Sequence, residues 1–286
     1  MKKLFAFPYV IWLSIFVIAP LLLVAYYAFT SVSPEGYTYF TLNNIRMFFE
    51  GTTPGQPFFS RIYVSIAVRS LRIAFISTVI CFVLGYPLAY VLSSKGFSDK
   101  SVLIFLFIVP MWMNFLVRTY AWLTILERNG ILNMLLSRIG LPTLDILFTD
   151  YAVLLGMVYN FLPFMVLPIY TSLTKMDRRI VEAAQDLGAN PFNVFVRVIF
   201  PLSLPGIISG ITMVFMPSAA TFIVPNILGG GQYFLLGNLV ELQFLRVGDW
   251  HFGSAVAVIM MILMVVSTFI LSRFDKQEVQ EGGLGF

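Results

Sequence analysis

Residues 151–205 read YAVLLGMVYNFLPFMVLPIYTSLTKMDRRIVEAAQDLGANPFNVFVRVIFPLSLP. The run from Tyr151 to Leu173 carries no charge and reaches the ~20 mostly apolar residues that a bilayer-crossing helix needs. Lys175, Asp177, Arg178, Arg179, Glu182, Asp186 and Arg197 then follow before apolar sequence resumes at Leu204. A polar segment between two such runs is a surface loop joining two spans. Its punctuation predicts two short helices. Asp177 is a good N-cap for a helix over Arg178–Leu187, and Gly188 is the natural stop. Asn190 then caps a second helix with Pro191 in its first position, running to about Phe200 and ending at Pro201. The two helices meet at an angle through Gly188 and Ala189.

Outward from this segment the chain remains apolar. Of its 286 residues 59% are hydrophobic and 11% charged, with a mean hydropathy of +0.88. A soluble domain carries about 25% charged residues, so an ordinary water-soluble fold is excluded. Six spans qualify: Pro8–Phe29, Ile73–Leu92, Val102–Ile125, Tyr151–Leu173, Leu204–Asn226 and Phe252–Leu271. They are continuously apolar, unlike the shorter alternating strands of a membrane barrel. The class is therefore an all-α membrane protein with six transmembrane helices. The apolar run Leu4–Phe29 exceeds the roughly 7–15 residues of a cleaved signal core and predicts an uncleaved first helix. With the N-terminus in the cytoplasm, ten Lys and Arg residues lie on inner segments against eight on outer ones, and all six lysines fall inside. Both termini are then cytoplasmic. The outer segment 30–72 is long and turn-rich, and short interfacial helices are expected around Thr41–Phe49 and Ile131–Ile139. Pro20, Pro87, Pro110, Pro163, Pro168, Pro217 and Pro225 fall within spans and favour bent helices around a pathway.

Several chemistries are excluded. Cys81 is the single cysteine and His251 the single histidine. A disulfide framework and a Cys- or His-cluster metal site are absent. No Gly-x-x-x-x-Gly-Lys-Ser/Thr loop is present to cradle nucleotide phosphates, and no nucleophile–base set stands out. The net charge of +4 fits cytoplasmic loops rather than nucleic-acid binding. The chain is not expected to be an enzyme or to carry a cofactor or metal.

The 175–204 segment has two physical readings. Ala183 and Ala184 give a small-residue face, Glu182 and Asp186 lie four apart beside Arg178 and Arg179, and Phe192, Phe195 and Val196 form an apolar stripe. Such a pair suits docking into a partner's groove, or packing on its own bundle.

The spacing Glu182-Ala183-Ala184, Gly188, Val198, Phe200-Pro201 resembles the EAA loop of ABC importer permeases of the binding-protein-dependent type. Val198 and Phe200 replace the family's Ile and Leu and keep the apolar character. That resemblance implies a type I importer (MetI-like) fold, a single permease domain over 1–286 with its core at about 66–272, and a coupling loop at 175–204. Asp177, Arg178, Glu182, Ala183, Ala184, Gly188, Phe192 and Pro201 would then engage an ATPase subunit. Further stretches, including Gly85-Tyr-Pro-Leu-Ala-Tyr90, Asn114–Trp122, Asn129–Asn133, Leu162–Pro168 and Ile227–Gly230, resemble PotB-type permeases of spermidine/putrescine importers. The resemblance implies a second permease (PotC type), two copies of an ATPase (PotA type) holding ATP and Mg, and an extracytoplasmic polyamine-binding protein (PotD type). Relatives moving iron, thiamine or opine-like solutes share the pattern and stay open as alternatives. A stand-alone carrier or channel is a further one. Where such relatives often carry an acid before the Gly-Gly, this chain reads Thr221-Phe-Ile-Val-Pro-Asn226.

For a polycation, the pathway candidates are Asn114, Arg118, Tyr159, Asn160, Thr221 and Asn226. Asn114 and Arg118 are expected to share a helix face. Arg118 is an intramembrane charge, which reads as functional, or as structural through pairing with Glu127 or Asp150. Glu127, Asp150, Glu241 and Asp249 at the outer rim are candidates for steering cations, or plain loop residues. Gly206-x-x-x-Gly210 predicts close helix packing. Trp12, Trp112, Trp122 and Trp250 are read as interface anchors and Cys81 as a small filler.

Overall fold

Amide and carboxylate caps set where helices begin in this chain, and one of those helices runs on through a widened helical turn. The computed structural model describes residues 11–50, 62–94 and 100–281, without the side chains of 100–103, 106 and 271–281. Lys2, Lys3, the Pro8 start of the first span, Gly51, Pro54, Gly55, Pro57, Arg61, Lys95 and Asp99 lie outside the described residues. In chain order the elements are α1 (Ile11–Ala28), β1 (Thr30–Val32), β2 (Thr38–Phe40), α2 (Asn43–Glu50), α3 (Ile62–Ser93), α4 (Lys100–Trp112), α5 (Phe115–Leu126), α6 (Ile131–Arg138), α7 (Asp150–Lys175), α8 (Arg178–Asp186), α9 (Pro191–Ala220), α10 (Ile223–Leu228), α11 (Leu236–Glu241) and α12 (Trp250–Glu281). The strands form an antiparallel hairpin with Ser31 opposite Tyr39.

Among the described residues five helices are long and apolar enough to cross a membrane: α1, α3, α7, α9 and the Trp250–Ile270 part of α12. The expected third span is not one helix. Asn114 leaves helical geometry (φ −55°, ψ 132°) and its side chain accepts the Leu116 amide at 2.8 Å. It therefore caps a new helix, α5, and divides the apolar run Val102–Ile125 into α4 and α5. The fifth span also ends early: Thr221 is extended, and Asn226 belongs to the separate α10. The second helix of the polar segment does not stop at Pro201. It continues as α9 to Ala220 through a π-turn at Phe195–Ile199. The π-turn carries an extra residue, and Pro201 sits in the first turn of the α-helical stretch that follows. There its fixed φ is compatible with the helix, which runs on past it.

Two compact units are present. One comprises the chain up to Ser70 with Phe234–Val265. Its core holds Phe48, Leu236, Leu239, Phe252 and Val256, and the Tyr63 ring lies 4.9 Å from that of Phe252. Asn44 is buried and donates to the carbonyls of Ala28 at 3.2 Å and Thr30 at 2.9 Å. These bonds tie the short helix α2 to the end of α1. Buried Ser70 accepts the Leu236 amide at 2.7 Å. Only 6% of the α1 crossing window is buried, an exposure of apolar side chains that is untenable in water and neutral in lipid.

The other unit comprises Leu71–Tyr233 with the chain from Val266 onward. Its most extensive helix contact is α7 against α9. The pair is antiparallel: Gly206 faces Pro168, Ile169 and Ser172, and Gly210 faces Met165. A Cβ at Gly206 would stand 2.5 Å from Ser172 Cβ and 2.7 Å from the Pro168 carbonyl oxygen, so the expected glycine packing is present. Beyond α5, Asn133 is 2% exposed. It donates to the carbonyls of Glu127 (3.1 Å) and Leu144 (3.0 Å) and accepts the Leu144 amide (2.8 Å). Asn133→Ala leaves these groups unpaired and is expected to cost about 2 kcal/mol. The check is amide exchange at Leu144, which should accelerate while exchange in α7 does not.

Candidate functional site

The α8–α9 segment is built from local rules. Asp177 accepts the Arg179 amide at 3.0 Å and starts α8. At the other end Gly188 takes φ +82°. Its amide donates to the Gln185 carbonyl at 2.9 Å, and the Ala189 amide donates to Ala184 at 3.1 Å. This pair of bonds closes the last turn with a left-handed residue. Asn190 accepts the Asn193 amide at 2.8 Å, with Pro191 first in α9. The predicted caps, stop and corner are all present.

The segment presents two kinds of surface. Asp177, Arg178, Arg179, Glu182 and Asp186 are exposed, as are Ala183 and Gly188, while Ala184 is half-buried. Arg178 also donates to the Ser93 carbonyl at 3.3 Å. At the corner, Leu187 is 88% and Phe192 72% exposed. Leu187 is the most exposed large apolar side chain among the described residues, and sequence reasoning missed it by treating it as the tail of a helix. Its position between a helix end and a positive-φ glycine is the signal that could have found it. The expected Phe192–Phe195–Val196 stripe is divided. Phe192 and Val196 face outward, whereas Phe195 turns inward against Tyr86 and Tyr90, each at 5.7 Å between ring centroids. At about 100° per residue, Phe195 and Val196 point about 100° apart, so only one of them shares the outward side with Phe192. Beside α8 lies a cavity of about 300 Å³ lined by Tyr90, Ser93, Leu173, Glu182 and Gln185.

The pathway candidates do not form one constellation. Asn114 is exposed and its side chain caps α5, so it does not share a helical face with Arg118. Arg118 is 7% exposed, its guanidinium carbon 5.9 Å from the Phe115 ring centroid. Its Nε has no hydrogen-bond partner among the described residues. The expected pairing with Glu127 or Asp150 is not formed: Asp150 lies 3.7 Å from Arg72, and exposed Glu127 ends α5. Tyr159 is partly exposed and sits edge-on to Trp122 at 5.3 Å. Asn160 is 1% exposed and donates to the Gly156 carbonyl at 2.9 Å. Thr221 and Asn226 are half-buried on either side of the α9–α10 break. Of the remaining outer acids, Glu241 lies 3.8 Å from Arg246, and Asp249 accepts the Phe252 amide at 3.0 Å to cap α12. Among the described residues no group of three His, Cys, Asp or Glu side chains is arranged to hold a metal ion.

Comparison with known proteins gives this geometry a context. The chain is 38% identical to the spermidine/putrescine transport system permease protein PotB of Haemophilus influenzae, covering 93% of this chain and 91% of that one. It is 37% identical to the PotB protein of Escherichia coli, covering 93% and 94%. A solved bacterial ABC transporter involved in import of the acidic polysaccharide alginate shares the fold, with a TM-score of 0.78 over 96% of both chains at 15% identity. Residues 81–278, which include all of α7, α8 and α9, match the family described as binding-protein-dependent transport system inner membrane component. On that match and those identities, the chain belongs to this family and is a membrane transport component.

Proposed function

We propose that the chain is one of two permeases in an ATP-driven importer of spermidine and putrescine, and that the Arg178–Phe200 segment couples it to the ATPase. The observation that carries the coupling role is the α8–α9 corner, where a turn through left-handed Gly188 presents Leu187 and Phe192 at 88% and 72% exposure between charged residues. An apolar knob with a charged rim is a docking surface. Support for the solute is the identity to two PotB permeases over nine-tenths of the chain. On this reading the chain is a single permease domain with both termini and the α8–α9 corner in the cytoplasm. A second permease, an ATPase pair holding ATP and Mg, and an extracytoplasmic polyamine-binding protein complete the machine. Arg118 and Asn160 line or brace the pathway, and Glu127 and Asp249 face the cation's entry side.

The second reading, another small solute on the same machine, is favoured by one stretch: Thr221–Asn226 has no carboxylate to receive a cation. Competition distinguishes the two. In vesicles holding the complete transporter, labelled spermidine uptake should require ATP and be suppressed by excess putrescine. Iron chelates, thiamine and opines should not suppress it. Uptake of one of those solutes with no spermidine uptake would overturn the polyamine assignment. Uptake by this chain alone without ATP would overturn the importer assignment.

A further inference from the structure

Helix α3 brings two aromatic side chains, Tyr86 and Tyr90, against the α8–α9 segment, and of these Tyr86 also reaches Phe200 and Ser203. Tyr86 is 6% exposed, and its ring lies 5.7 Å from Phe195 and 5.6 Å from Phe200. Its hydroxyl oxygen is 3.1 Å from Ser203 Oγ. Ser203 is fully buried and donates its single hydroxyl proton to the Phe200 carbonyl at 2.8 Å. The Tyr86 hydroxyl is therefore the donor to Ser203. Phe195 opens the π-turn, Phe200 follows its last residue, and Ser203 lies in the first α-helical turn beyond it.

Tyr86 thus touches both ends of the π-turn. A π-turn holds one residue more than an α-turn. Converting it to α-helix would rotate Phe195 by about 100° relative to Ser203 and shift it by about 1.5 Å along the axis. The contacts of Tyr86 to Phe195 and to Ser203 hold together in one register only.

We propose that Tyr86 is a positioning residue that locks the register of the Phe195–Ile199 π-turn and so carries movement of the Arg178–Phe200 segment into α3. The proposal rests on the coupling role given above. A tyrosine that merely filled the core would need neither the hydroxyl nor the contact with both sides of Pro201.

The test uses the complete transporter in vesicles and four variants: Tyr86→Phe, Ser203→Ala, the double variant and Ser203→Thr. Solute moved per ATP hydrolysed is the main readout, with ATPase co-purification and the thermal midpoint measured alongside. Tyr86→Phe and Ser203→Ala should each lower solute per ATP by about fivefold, the scale of one lost buried hydrogen bond. The double variant should lose no more than either single one, and Ser203→Thr should keep the parent ratio. Co-purification should stay at the parent value, and the thermal midpoint should fall by no more than a few degrees. An unchanged ratio in both single variants, or losses that multiply in the double one, overturns the proposal while leaving the coupling role standing. A parent transporter whose ATPase does not bind at the α8–α9 corner overturns the coupling role, and this proposal with it.

Discussion

Gly188→Pro is expected to abolish solute uptake while the protein still inserts in the membrane. Gly188 has φ +82°, a region that proline, held near −65°, does not reach. The substitution also removes the amide that donates to the Gln185 carbonyl at 2.9 Å. Both changes fall at the corner that holds Leu187 and Phe192 outward. A Cβ at this position meets nothing within 4 Å, so the effect is conformational and local. The cost of rebuilding the turn is about 3 kcal/mol or more, which lowers uptake roughly a hundredfold or beyond. Gly188→Ala has the same open space and only the left-handed penalty of about 1–2 kcal/mol, so it should retain partial uptake. Uptake assayed at equal membrane abundance checks the order parent, then alanine, then proline. Full uptake by Gly188→Pro would contradict the role assigned to the corner.

Gly206→Val is expected to prevent folding rather than uncouple a folded protein. Here the constraint is space. The first added carbon would meet Ser172 Cβ at 2.5 Å, the Pro168 carbonyl oxygen at 2.7 Å and Ile169 Cα at 3.2 Å. Two of these are backbone atoms of α7 and do not swing aside. Overpacking on this scale costs about 3 kcal/mol, and the α7–α9 contact is the most extensive in its unit. Gly210 is more forgiving, because its nearest neighbour is the flexible Met165 thioether at 2.9 Å. Folded protein recovered in detergent should fall several-fold for Gly206→Val and less for Gly210→Ala. A normal yield of Gly206→Val with normal uptake would overturn the packing account.

These two glycines illustrate what a sequence reveals. The caps at Asp177 and Asn190 and the stop at Gly188 are legible because each depends on a few neighbouring residues. The glycine pair at Gly206 and Gly210 is legible because its spacing matches one helix face. The interruption at Asn114 is not, since an apolar run around Pro110 reads as one span until the amide is seen turning back to cap α5. Nor is the π-turn at Phe195–Ile199. Its extra residue leaves no compositional mark, and the helix runs on through Pro201 behind it. Burial of Arg118 without a carboxylate partner is equally illegible, because the sequence does not show that Asp150 faces Arg72 or that Glu127 is exposed at the end of α5. Nor does the sequence around Tyr86 mark its contact with Ser203, 117 residues further on.

On the proposed function, the α8–α9 corner seats in the nucleotide-hydrolysing partner. A photo-crosslinking side chain at Leu187, with a second at Ile139 on α6 as reference, tests it most directly in the intact transporter. Ile139 is 70% exposed and is assigned to the opposite side of the membrane. The account predicts an adduct with the ATPase from position 187 and none from position 139. An ATPase-free pattern at position 187, in a transporter that still takes up solute at the expense of ATP, would contradict it.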